Sequence, residues 1–206
     1  MFIAQILSEK SVHAYEKLGL APAGYVLGSI LIIGHLIPLI APEKTRNFLP
    51  KIPRNQPLGQ GILALALFWF FLLIAPAGNG ILSSLRTEIT GFENIRPILQ
   101  CAIPLAFLLM IFYVKEFLTA RALGVLGLLF VAPFLSAAYL KEPATRLLIP
   151  IWSYAVIFMS FFWLAKPYLL RDQINWLLAK PYRLPLLSIV GLAYGVAILL
   201  YAILFW

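Results

Sequence analysis

Uncharged, largely apolar stretches alternate with short polar segments along this chain, at residues 18–42, 55–85, 97–114, 122–140, 147–165 and 184–206. A helix needs about 20 residues to cross roughly 30 Å of hydrocarbon, so the pattern predicts six transmembrane helices. The second stretch is too long for a single span. Pro76, Gly78 and Gly80 are helix-ending residues, which places its helix at about 59–74. The third to fifth stretches are 18 or 19 residues long, adequate when the Lys and Arg side chains at their ends reach back to the interface.

Before the first stretch the pattern changes. Gln5, Glu9, His13 and Glu16 recur at intervals of four, four and three, while Phe2, Ile3, Ile6 and Leu7 lie largely off that stripe. This is the period of an amphipathic helix over residues 2–17, one suited to lie in the headgroup layer or to pack against another subunit. Gly19 and Pro22 end it. Glu9 and Lys10 interrupt the apolar run before it reaches the length of a cleavable signal, so a retained N-terminus is expected. The fold expected is therefore all-α, a polytopic bundle forming a single integral membrane domain over 1–206. An interfacial helix at 1–18 precedes a six-helix bundle at 19–206.

Composition sharpens the same picture. Hydrophobic residues make up 62% of the chain and charged residues 12%, against about 45–50% apolar and about 25% charged in soluble domains. The net charge of +8 does not point to nucleic acid, because the basic residues are scattered between apolar runs and form no stripe. They fit the flanks of membrane spans, where they meet anionic lipid headgroups. Alternate loops receive them unequally. Ten (Lys44, Arg46, Lys51, Arg54, Lys115, Arg121, Lys166, Arg171, Lys180, Arg183) fall on one side and six (Lys10, Lys17, Arg86, Arg96, Lys141, Arg146) on the other. The positive-inside rule then puts the first, third and fifth loops in the cytoplasm and both termini outside, in an inner or plasma membrane.

Two of those loops carry further signals. The first, 41–58, contains Pro42, Pro50, Pro53 and Pro57 with four basic residues and one acid, which predicts an extended, stiff tether near anionic lipid. The fifth repeats Leu-Ala-Lys-Pro-Tyr at 164–168 and 178–182 around Trp176, which predicts two boundary turns bracketing a short surface helix. An Ala-Pro-Ala-Gly echo at 21–24 and 75–78 marks the outer ends of the first two helices. It does not extend into a transporter-type internal repeat.

Candidate chemistry is sparse. Glu9, Glu16, Glu43, Glu88, Glu93, Glu116, Glu142 and Asp172 all fall in loops, in the terminal helix or at span boundaries. The membrane interior thus lacks the carboxylates on which coupled pumps rely. His35, in the first span, is the exception among ionisable groups. It reads either as a haem or metal ligand or proton carrier, or as an interhelical hydrogen-bond partner. The second reading is favoured because His13, the other histidine, lies outside the spans. Gln100 and Ser153 are the expected partners.

Cys101 is the single cysteine, so an intramolecular disulfide and a cysteine-cluster metal site are excluded, and it is expected to pack as a small hydrophobe. Pro38, Pro104 and Pro133 are positioned to kink their helices. Gly191 and Gly195, extended by Ala202, and more weakly Gly24 and Gly28, form small-residue faces for close helix packing, within the chain in preference to a dimer. Lys115, Glu116 and Arg121 form a charge cluster at a tight hairpin. Soluble-enzyme and nucleotide-binding motifs are absent from the sequence, so no catalytic or metal residue and no cofactor is assigned.

The reading favoured is a non-catalytic subunit or scaffold of a larger membrane assembly. Its partners are then the bilayer, anionic headgroups and other membrane subunits. A channel, facilitator or transporter of small molecules or lipids is the first alternative. An intramembrane enzyme acting on lipid, drawing on His13, Glu88 and Glu93, is the second.

Overall fold

Prolines and one asparagine punctuate the helices. The computed structural model describes residues 14, 15, 17–74, 95–113 and 117–206, and every regular element among them is helical. In order these are α1 (Leu20–Ile40), α2 (Pro42–Phe48), α3 (Gln56–Leu73), α4 (Arg96–Tyr113), α5 (Leu118–Ala138), α6 (Leu148–Ala165), α7 (Tyr168–Leu178) and α8 (Arg183–Leu204). Two 3-10 segments, Leu49–Arg54 and Ala144–Leu147, lie before α3 and α6. Helices α1, α3, α4, α5, α6 (with its leading 3-10 turn) and α8 are long and apolar enough to cross a bilayer. The predicted interfacial helix at 2–17, the tail of the second apolar run at 75–85 and the pair Lys115–Glu116 lie outside the described residues, apart from Ala14, Tyr15 and Lys17.

The first connection corrects the expected extended tether. It is helical, as α2 followed by the 3-10 turn Leu49–Arg54. Pro42 and Pro50 stand at the first positions of these segments, where a backbone N–H has no intrahelical acceptor and the fixed proline φ already matches a helix. Pro57 does the same for α3, whose N-cap Asn55 accepts from the Leu58 N–H through its side chain at 3.1 Å. The fifth connection has the predicted form, since each Leu-Ala-Lys-Pro-Tyr copy marks a break and α7 lies between them. Helix α5 begins at Leu118, before the first residue of its uncharged run, so Arg121 lies within a helix. Phe117, immediately before it, has a left-handed backbone with φ of 55°, a strained conformation for a bulky residue.

Glycines set how the long helices meet. Helices α1 and α8 run antiparallel, with Gly24 against Ala202 and Trp206, Gly28 against Gly195 and Leu199, and Gly191 against His35. A methyl group on Gly28 would lie 3.0 Å from the Gly195 carbonyl oxygen, and one on Gly195 would lie 2.8 Å from Leu31 Cβ. Backbones this close require the absence of side chains. Helix α5 forms the centre of the remaining helices. Its Gly124 and Gly127 face Ser160 of α6, and its Thr119 lies against Gly59 of α3.

At one end of the bundle the starts of α1 and α6 and the ends of α5 and α8 converge in an apolar cluster that includes Leu27, Leu31, Phe134, Ile149 and Ile198. Phe130, Phe134 and Trp152 pack edge to face there. The opposite end, where α2 and α7 lie, holds a second cluster joining Leu63 of α3 to Leu118 and Ala122 of α5. Helix α4 is peripheral, with Arg96 and Ile103 as its buried residues.

Candidate functional site

The polar side chains carried on apolar helices are the natural place to look for chemistry, and the structure ties several of them to backbone carbonyls. His35 Nδ1–H donates to the Leu31 carbonyl one turn earlier on its own helix at 2.8 Å, which corrects the interhelical bond expected from sequence. Neither expected partner meets it. Gln100 Nε2 donates instead to the Ile74 carbonyl at 2.8 Å, closing the end of α3 with a group from α4. The Ser153 hydroxyl is buried without a hydrogen-bond partner.

The His35 imidazole still serves a contact between helices, through packing. A Cβ built on Gly191 would overlap the Cδ2, Nε2 and Cε1 atoms of the imidazole, so the ring packs directly against the glycine of α8. The Nδ1 bond fixes the ring plane, and the glycine leaves room for it. The small-residue pattern at Gly191 and Gly195 thus has two uses, close backbone approach at Gly195 and a seat for an aromatic ring at Gly191.

Three further junctions were not read from sequence. The Thr119 hydroxyl donates to the Asn55 carbonyl at 2.9 Å, joining the starts of α3 and α5 beside Gly59. The Tyr194 hydroxyl donates to the Leu148 carbonyl at 2.7 Å, joining α8 to the start of α6. Trp206 Nε1 donates to the Thr145 hydroxyl at 2.9 Å. The Asn-Gln-Pro step at 55–57, an N-cap signal, was the one legible hint of the first. The other two depend on tertiary placement alone.

Near its C-terminal end α3 reaches the chain that precedes α1, where Trp69 donates through Nε1 to the Tyr15 hydroxyl at 2.5 Å. Burial pushes the Tyr15 phenol above its ordinary range, and the bond from Trp69 offsets part of that rise.

Among the described residues, two buried hydroxyls have no hydrogen-bond partner. Ser153 and Ser160 are fully buried on the face of α6 that meets α5, and neither has a hydrogen-bond partner. Gly127 of α5 makes the space that Ser160 occupies. The remaining candidates are dispersed. Cys101 is exposed on α4, contrary to the packed position expected for it. Pro38, Pro104 and Pro133 lie inside α1, α4 and α5. Pro104 also lines an apolar pocket of about 330 Å³ between α3 and α4, with Ala64, Leu67, Phe68, Phe71, Ile103 and Phe107. His13, Glu88, Glu93 and Glu116 lie outside the described residues. No group of three or more potential metal ligands occurs among the described residues.

No protein-family model, curated protein or solved structure matches this chain. Its own residues therefore carry the functional reading.

Proposed function

We propose that the chain is a multi-pass integral membrane protein that works by association, as a non-catalytic subunit or scaffold of a membrane assembly. The end carrying α2 and α7 faces the cytoplasm, and the start of α1 and the end of α8 face outside. One observation carries the reading. Five polar side chains of the long helices are bonded to backbone carbonyls, His35 to Leu31, Gln100 to Ile74, Thr119 to Asn55, Ser188 to Leu184 and Tyr194 to Leu148. A reaction centre or ion path needs such groups turned toward a ligand.

The orientation rests on the ten-to-six division of Lys and Arg. In a Cys101→Ser background, Arg54→Cys and Lys180→Cys are expected to resist a membrane-impermeant thiol reagent in intact cells, and Trp206→Cys to react. Labelling at position 180 from outside reverses the topology.

The unpartnered Ser153 and Ser160 favour one competing reading, a facilitator using a polar track between α5 and α6. The two readings part on substitution. If the polar groups are structural, Ser153→Ala with Ser160→Ala leaves the cellular phenotype intact and stability unchanged or higher, since an unsatisfied buried hydroxyl costs about 1–3 kcal/mol. His35→Gln, which keeps a donor amide but loses the ring's contact with Gly191, is expected to leave the phenotype intact. The checks are a complementation assay of the deletion strain and thermal unfolding in detergent. Loss of the phenotype in either variant, with folding and partners intact, moves the function to transport or cofactor chemistry.

A further inference from the structure

The end bearing α2 and α7 is assembled from connections far apart in sequence. Arg46 of α2 donates through Nη2 to the Pro181 carbonyl at 2.7 Å, across 135 residues. Arg183 donates to the Trp176 carbonyl at 2.6 Å, and its guanidinium lies 4.3 Å from the Trp176 ring centre. On the inner side of this layer Leu170 and Ile174 of α7 are buried with Ala120, and Leu49, Trp163 and Leu178 pack around them. The first and fifth connections therefore form one layer across the end of the bundle, and Arg46 and Arg183 fasten it.

The outer side of the layer has a different composition. Lys44, Lys51, Arg54, Lys166, Arg171 and Lys180 are exposed there, against the exposed acids Glu43 and Asp172. Asp172 is paired with Arg171 at 2.9 Å. Phe48, Tyr168, Trp176 and Tyr182 expose between 41% and 56% of their surface in the same layer. At the other end, the exposed charges among the described residues are Lys17, Lys141 and Glu142. One end thus combines excess positive charge with exposed aromatic rings, a pairing that suits the lipid headgroup region.

We propose that this layer is a binding surface for anionic phospholipid headgroups, with Lys44, Lys51, Arg54 and Lys180 meeting the lipid phosphates and Trp176 and Tyr182 seated among the headgroups. Charge complementarity selects the occupant, since a zwitterionic headgroup gains little from an excess of cations. The inference rests on the membrane placement proposed above and is independent of the association role.

The test uses the full chain reconstituted in vesicles of phosphatidylcholine containing trace spin-labelled phosphatidylglycerol or spin-labelled phosphatidylcholine. The motionally restricted fraction in the spin-label spectrum gives the relative association constant of each lipid. Phosphatidylglycerol is expected to be preferred severalfold. The preference should fall toward unity in K44Q/K51Q/R54Q/K180Q and persist in K17Q/K141Q. Raising salt on the unaltered protein to about 1 M, where the screening length is about 3 Å, should remove the preference without any substitution. Inorganic phosphate at matched ionic strength should not displace the lipid. Equal association of both lipids, an equal loss in K17Q/K141Q, a preference that survives high salt, or displacement by inorganic phosphate overturns the proposal. Protein that fails to float with the vesicles in a density gradient overturns the membrane placement along with it.

Discussion

Gly195→Leu is expected to lower stability in mild detergent by about 3 kcal/mol or more, at or above the upper end of what overpacking usually costs. A Cβ there meets Leu31 Cβ at 2.8 Å, the Ile32 backbone nitrogen at 3.1 Å and the Gly28 carbonyl oxygen at 3.2 Å. Two of these three atoms are backbone, which cannot rotate away, so α1 and α8 must separate. Gly34→Leu is the control, because Gly34 lies on the same α1 helix with nothing within 4 Å of an added Cβ. Both substitutions gain similar helix propensity, about 0.8–1 kcal/mol. The difference between them isolates the contact. Thermal unfolding followed by circular dichroism should show a large fall for Gly195→Leu and little change or a small rise for Gly34→Leu. Equal shifts would remove the close approach of α1 and α8.

The second large effect concerns His35 and is a coupling. Gly191→Ala puts a methyl group where the imidazole lies, so in the native background it is expected to cost about 1–3 kcal/mol. In a His35→Ala background the space is empty and the same change should cost almost nothing. His35→Ala alone loses the bond to Leu31 and the ring's packing. The cycle should return a coupling within the range of about 0.5–3 kcal/mol seen for contacting residues. Denaturant titration of the four proteins in one detergent provides it. Strict additivity would mean that the ring does not occupy the Gly191 groove.

Much of this architecture was legible because hydrocarbon imposes a length on any uncharged helix. Five of the six apolar helices begin and end within a few residues of the sequence runs, and α3 starts at Gln56, three residues before the expected Gly59. The pattern at Gly24, Gly28, Gly191 and Gly195 was also readable, because a missing side chain on one helix face has few structural uses. The pairing of those two faces with each other was not. Sequence spacing shows that a face is small without showing which helix it meets.

The first connection was misread for a specific reason. Four prolines in 41–58 suggest an extended chain when counted together, yet Pro42, Pro50 and Pro57 each stand at a helical start, where proline is favoured. His35 was misread for another. A search for its partner looked across helices, whereas the Leu31 carbonyl one turn back on the same helix lies within reach of a side-chain donor. The orphaned hydroxyls of Ser153 and Ser160 and the exposure of Cys101 depend on how far α5 and α6 approach and how α4 is turned. No local pattern encodes either.

Association is tested most directly by the composition of the particle in which the chain resides. The measurement is purification of the tagged full chain from its native membrane in mild detergent, with quantitative mass spectrometry of everything that remains bound. It is made in parallel on Ile6→Glu with Leu7→Glu, which places charge on the apolar side of the sequence pattern at 2–17. A subunit or scaffold is expected to carry at least one other membrane protein at fixed stoichiometry, and the double variant to lose it while keeping the thermal unfolding of the bundle. A chain that purifies alone as a folded monomer, with no stoichiometric partner in either form, would contradict association as its function.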